Sequence, residues 1–314
     1  MKILFSNVNF GSRTGPNTFA MRLALQLGNM GHVIADPNDY DVELTFIENS
    51  AGRLSRPVVQ RLDGIWFKPD EYHLNSRIQS LYKSSDYVVW QSDFDRRMTI
   101  KHFGEKISGV VISNGYPLNN VSSTVYEIHE EIFNLKNEYD VIFCSSANWH
   151  PQKRLTANYD LFKLCEKQLR SNGKKAAYII MGSSPDIRIS DKNVFFTGNV
   201  EHDVCSSVYR VSDYMIHLAW LDHCPNTVVE AIAHECPVIC SSSGGTHEIV
   251  SPSGGIVIQD ADYGFELMNY DRPPNIDISN FVLPAEKPKI NAACIDIVNV
   301  AKKYELVFNK LCNK

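Results

Sequence analysis

YMIHLAWLDHCPNTVVEAIAHECPVICSS (214–242) is the stretch whose reading decides the fold. Its two ends, YMIHLA (214–219) and PVICSS (237–242), are short and almost continuously apolar. Between them, residues 225–234 follow a helical spacing. Val228, Val229, Ile232 and Ala233 share one face, and Thr227, Glu230 and His234 share the opposite, polar face. A strand, a helix and a second strand in this order, with strands apolar on both faces, predict a parallel sheet covered by helices.

The same alternation extends in both directions. Toward the N-terminus, strands are expected at 2–7, 42–47, 57–62, 86–91 and 109–113, with helices at 16–29, 73–84 and 93–103. From residue 140 onward, strands are expected at 140–146, 176–182, 194–198, 214–219, 237–242 and 255–258, with helices at 154–170, 202–210 and 225–234. Two such runs predict an α/β chain of two doubly wound parallel-sheet, Rossmann-like domains facing each other across a cleft. The expected boundaries are a first domain at 1–116, a polar linker at 117–137 and a second domain at 138–287. The closing helical pattern at 288–314 comes too late to continue the second sheet and is expected to return to the first domain.

At 314 residues the chain has room for two domains of ordinary size. Its net charge of −5 argues against an electrostatic grip on nucleic acid, and no apolar run reaches the ~18 residues of a membrane span, so any membrane contact is expected to be peripheral. Ser6-Asn7 interrupts the apolar start, which favours a strand there over a leader. The eight cysteines form no C-x-x-C pair, and His223, Cys224, His234, Cys236 and Cys240 match no zinc spacing. Packed, reduced thiols and a cytoplasmic location are expected.

In open parallel sheets ligands bind beyond the carboxyl ends of the strands. Beyond strand 214–219 lie Asp222 and Pro225, with Pro225 expected as the first helical residue. The amides of Asn226, Thr227 and Val228 then face the cleft without partners, which suits a diphosphate. Glu230 follows about 7.5 Å along the axis, roughly the distance from a diphosphate to a ribose. Beyond strand 140–146, SSANWHPQKRL (145–155) brings Lys153 and Arg154 to a strand-to-helix turn, where cations meet the charge of a leaving diphosphate. Gly11 and Gly15 allow close backbone approach after the first strand, though without a G-x-G-x-x-G fingerprint. Asp63 in Arg61-Leu62-Asp63-Gly64 is either a turn residue or a contact to acceptor or sugar. Three Asp-x-Asp triplets (Asp39/Asp41, Asp93/Asp95, Asp260/Asp262) carry little weight among 20 aspartates, and no metal is assigned. Asp93 and Asp95 are expected in the first turn of a helix capped by Ser92.

Asp222, Glu230, Ala231, Ala233, Pro237, Val238, Gly244, Gly245 and Glu248 together resemble the donor-site signature of the retaining glycosyltransferases of family 4, the group 1 transferases. The resemblance implies a GT-B fold and transfer of a sugar from a nucleoside-diphosphate sugar with retention and without metal or other cofactor. The acceptor it leaves open is a glycan, a lipid-linked sugar or a small molecule. It implies that Glu230 holds ribose hydroxyls and Asp222 the donor sugar, although the family usually carries Glu at the latter position. Lys153 matches a family lysine; the arginine paired with it there is replaced by His150, so His150 or Arg154 takes that role. Gly198 in TGNV (197–200) resembles the base-binding loop, Gly244 and Gly245 the sugar-orienting loop, and Asn114-Gly115 the interdomain hinge. Nucleotide-sugar epimerases, sugar phosphorylases and non-catalytic nucleotide-sugar binders share the plan and stand as alternatives.

Overall fold

The computed structural model describes residues 1–12, 14–49, 56–106, 108–119, 130–183 and 189–312. Near-continuous apolar segments form two six-stranded, all-parallel sheets. The first contains β1 (Lys2–Ser6), β2 (Val33–Ile34), β3 (Val42–Phe46), β4 (Val58–Leu62), β5 (Tyr87–Trp90) and β6 (Gly109–Val111), in the order β2-β1-β3-β4-β5-β6. The second contains β7 (Val141–Ser146), β8 (Ala176–Met181), β9 (Val194–Gly198), β10 (Tyr214–His217), β11 (Val238–Ser241) and β12 (Ile256–Ile258), in the order β12-β11-β10-β7-β8-β9. The strand order reverses between β1 and β3 in one sheet and between β7 and β10 in the other, which makes these the crevices where ligands are expected.

The helices are α1 (Gly15–Asn29), α2 (Ser76–Ser84), α3 (Asp93–Phe103), α4 (Glu130–Glu138), α5 (Leu155–Ser171), α6 (His202–Val211), α7 (Asn226–Ala233), α8 (His247–Val250) and α9 (Ile297–Cys312). Helix α3 begins as its sequence demands: the Ser92 hydroxyl accepts from the amide of Asp95 at 3.1 Å. None of the helices among the described residues is long and apolar enough to cross a membrane.

Three expectations need correction. The two-residue strand β2 was not anticipated, because its exposed Val33 and Ile34 show neither alternation nor length. The expected linker 117–137 is shorter at its C-terminal end. Ile132 and Leu135 of α4, three residues apart, pack on the core of the second sheet, while residues 120–129 of that linker lie outside the described residues. Pro225 is the N-cap of α7 rather than its first residue; its ψ of 126° is extended, and the helix starts at Asn226.

The chain crosses between the domains twice, and the crossings are paired. Tyr116 forms a parallel bridge with Asp296, the amide of Tyr116 donating to Ile295 O at 2.8 Å and that of Ile297 to Tyr116 O at 3.0 Å. Ile295 belongs to the second core, whereas Ile297, Val300, Tyr304 and Phe308 of α9 fill the first core with Ile3, Phe19 and Leu44. Gly115 sits under this crossing: a β-carbon there would lie 3.1 Å from the Ile297 α-carbon and 3.0 Å from a Val300 methyl.

Candidate functional site

Helix α7 is aimed at the cleft from the strand-order reversal of the second sheet. Its first turn closes early, with the amides of Val228 and Val229 donating to Pro225 O at 3.1 and 3.2 Å. Of the three amides expected to be free, Val228 is therefore occupied, and Asn226 and Thr227 remain. The Asn226 side chain donates to Gly15 O at the start of α1 at 2.9 Å and accepts from Asn114 Nδ2 at 3.0 Å. Asn114 also donates to Cys224 O at 3.0 Å and accepts from the Arg61 guanidinium, so one buried amide ties the hinge to both walls.

The polar face of α7 does not meet solvent. Glu230 is buried, and its Oε1 accepts from Nη2 of Arg22 on α1, across the cleft, at 2.6 Å. His202 Nε2 lies 3.6 Å from the same oxygen. Burial opposes the charged form of Glu230, but His202 and the Arg22 charge outweigh it and hold the carboxyl below the ordinary range. His234, on the same polar face, is also buried, packing edge-on against Tyr116 at 5.6 Å.

Asp222 sits in the loop after β10, and Lys153 follows β7 in a short 3₁₀ turn, Pro151–Lys153. The Lys153 ammonium donates to Asp222 Oδ2, and His217 Nε2 lies 3.1 Å from the same oxygen. Burial works against Asp222 ionisation; the Lys153 charge and the His217 hydrogen bond overcome it, leaving the carboxyl well below its usual range. Gly244 has a φ of 71° and lies against the Asp222 backbone, while the Gly245 amide donates to Asp222 O at 2.7 Å. The Gly244–Gly245 loop and Asp222 thus form one unit.

The two cations left open in sequence separate here. Arg154 is buried, paired with Asp260, bonded to Pro274 O at 2.6 Å and stacked on Trp220 at 4.9 Å. Its charge is already met inside the second domain. His150 is exposed in the loop after β7, on the wall of a cavity of about 620 Å³. Gly198, with φ 67°, ends β9, and its carbonyl accepts from the Gly182 amide at 2.8 Å. Gly11 is exposed in the loop between β1 and α1. Asp63 forms an ion pair with the buried guanidinium of Arg61 and is no solvated turn residue. Thr227 stands half-buried in the first turn of α7.

Arg22 went unnoticed in sequence, and the partners of Glu248, His223 and Asp95 were not legible there. Arg22 carries a readable signal, a charge within the apolar stripe Phe19, Leu23, Leu27 of α1. Glu248 reaches the N-terminus of α3, accepting from the amides of Asp93 and Phe94 at 2.6 and 2.8 Å, so it braces the domains against each other. The His223 ring rests on Gly64 between Phe67 and Phe94, 3.7 Å from Asp95 Oδ1; burial lowers its pKa to about 4 and raises that of Asp95 to about 8. A cavity of about 450 Å³ opens beside Gly244, Tyr263 and Phe265.

The family model described as glycosyl transferases group 1 matches residues 138–267. No curated protein sequence matches the chain. Among solved structures, HepE from Anabaena in complex with UDP superposes with a TM-score of 0.69 at 15% identity, covering 99% of this chain and 100% of that one. A glycosyltransferase from Rickettsia africae gives 0.61 at 12% identity, with 99% and 98% coverage. AviGT4, a glycosyltransferase of avilamycin A biosynthesis, gives 0.61 at 14%, also with 99% and 98% coverage. The whole chain therefore has the GT-B fold of these structures, and residues 138–267 match the model of the glycosyl transferases group 1 family.

Proposed function

We propose that this chain transfers a sugar from a nucleoside-diphosphate sugar to an acceptor hydroxyl, with retention of anomeric configuration and without a metal ion. One observation carries the reading: at the reversal point of the second sheet, Lys153 after β7 pairs with Asp222 after β10, in the loop that leads into α7 and its Glu230. The free amides of Asn226 and Thr227 receive the diphosphate, and Glu230, one turn along, receives the ribose. Asp222 and the Gly244–Gly245 loop hold the donor sugar. As the anomeric C–O bond breaks, its electron pair passes to the diphosphate, whose charge meets Lys153 and the helix amides. The acceptor oxygen bonds to the anomeric carbon on the same face, and its proton passes to the departing diphosphate. Gly11, Gly15 and Gly198 approach the donor by backbone, His150 stands with Lys153 at the diphosphate, and Asp63 contacts the acceptor or the donor sugar.

Uridine diphosphate is the first candidate nucleotide, because HepE is described in complex with UDP and UDP-glucose. The acceptor class is a glycan, a lipid-linked sugar or a small molecule. Eight cysteines without a disulfide suit a reducing compartment, the cytoplasm. A thermal-shift screen against UDP-, GDP-, ADP- and TDP-sugars tests the reading, followed by turnover of the best donor in EDTA. Stabilisation by one nucleotide class and unchanged turnover in EDTA are expected. Activity lost to EDTA and restored by magnesium or manganese would refute the metal-free step, and no shift with any donor would refute the donor site.

A further inference from the structure

Arg22 is the one cation that reaches Glu230 from the opposite domain among the described residues. Its side chain is 7% exposed and that of Glu230 is 10% exposed, so the pair is shielded from water. The guanidinium is held on three sides. It lies 4.6 Å above the Tyr116 ring, donates to Glu230 Oε1 at 2.6 Å, and has His202 Nε2 at 3.3 Å from Nη2. The His202 ring in turn stacks on Tyr116 at 6.1 Å with 10° between the planes. Such a clamp fixes the guanidinium, and through it the carboxylate. The contacts of Arg22 and His202 with Glu230 both run to Oε1. A carboxylate has about four lone-pair sites, so Oε2 stays available for further donors. Arg22 Nη1 is buried without a hydrogen-bond partner, which a ligand oxygen beside Glu230 would correct.

We infer that Arg22 is a positioning residue for the ribose: reaching across the cleft, it orients the Glu230 carboxylate through Oε1 and leaves Oε2 for the ribose hydroxyls. This rests on the proposed role of Glu230 in nucleotide binding. Its consequence is that the nucleotide grip is complete only when the domains are closed, since Arg22 belongs to the first domain and Glu230 to the second. The opposite role, a latch that the nucleotide must displace, requires the ribose to compete for Oε1 and is an outcome of the test.

The test is calorimetric titration of wild type, Arg22→Gln and Arg22→Lys with UDP, GDP and ADP and with their 2′-deoxy forms. Circular dichroism verifies that each variant is folded. A charge-assisted hydrogen bond corresponds to about tenfold in affinity, so wild type is expected to prefer the ribonucleotide over its 2′-deoxy form by about that factor. In Arg22→Gln that preference is expected to shrink to about twofold, through loss of ribonucleotide affinity alone, and Arg22→Lys should recover part of it, since it restores the charge without the fork. Tighter ribonucleotide binding by Arg22→Gln would establish the latch and overturn the inference. Equal weakening toward ribo and deoxy forms would also overturn it, since that is what a purely structural arginine predicts. Nucleotide binding absent in wild type as well would remove the Glu230 reading, and this inference with it. An unchanged preference in a wild type that does bind removes the inference alone.

Discussion

Two carboxylates of the second domain face the cleft, and their partners come from different places. Asp222 is paired with Lys153, anchored in the same domain, so the pair persists whatever the domains do relative to each other. Glu230 is paired with Arg22, from the other domain, so that pair exists only while the walls are together. Removing one partner of a buried ion pair strands the other, at a typical cost of about 3–5 kcal/mol. An interdomain pair has an escape that an intradomain pair lacks: the cleft opens and the stranded charge is hydrated. The location of the partner therefore decides whether a mutation is felt as lost stability or as altered domain geometry.

Lys153→Ala should give the largest effect and tests the first half of the comparison. Asp222 would keep only His217, whose own pKa burial lowers, and only a small exposed edge for water to reach. Loss of about 3 kcal/mol in denaturant unfolding is expected, near the low end for a buried pair because both side chains retain some exposure. Turnover should fall about 100-fold, as when one charge-stabilising group is removed from a leaving-group site. Unchanged stability would show that Asp222 is hydrated and the intradomain pair unimportant.

Glu230→Ala tests the other half. Nucleoside-diphosphate affinity should fall about tenfold, with the wild-type ribose preference abolished. The melting temperature should move little, while small-angle scattering reports a larger radius of gyration as the cleft opens around the unpaired Arg22. A large loss of stability with an unchanged radius would mean that the Glu248 and Asn114 bridges hold the walls shut without the ion pair.

The last test concerns Asp95, a buried carboxyl beside the His223 ring. Its folded pKa of about 8 lies above the unfolded value near 4, so the folded state keeps a proton that the unfolded state releases between those values. The protonated group favours folding fully at low pH, and that contribution is lost as pH rises toward 8. Asp95→Asn removes the titration. Its melting temperature relative to wild type should therefore rise steadily between pH 5 and pH 8. A difference independent of pH would show that Asp95 is ionised in the folded protein.

Much of this molecule was legible in its residues. Apolar strands alternating with amphipathic helices give parallel sheets because only those bury such strands on both faces. The Asp222 to Glu248 stretch stands out as a candidate ligand site because its turn, helix start and glycine pair follow directly on strand ends. What covers Glu230 was not legible in sequence, for a physical reason. A helical spacing separates polar from apolar faces, but it does not say whether water or another charged surface covers the polar one. Arg154 is a parallel case: sequence puts it at a strand-to-helix turn, and only the fold brings Asp260, 106 residues later, onto its guanidinium.

The sequence by itself determined what is local: strand and helix periods, the Ser92 cap, and the loop chemistry at the ends of β7, β10 and β11. Only the tertiary structure decided the partners. Arg22 and Glu230 stand 208 residues apart, and their contact depends on α1 and α7 meeting across the cleft. A side chain's local preference is set by neighbours within a turn or two. Whether its charge is free, neutralised or shared depends on which surfaces close over it, and that is a property of the assembled fold.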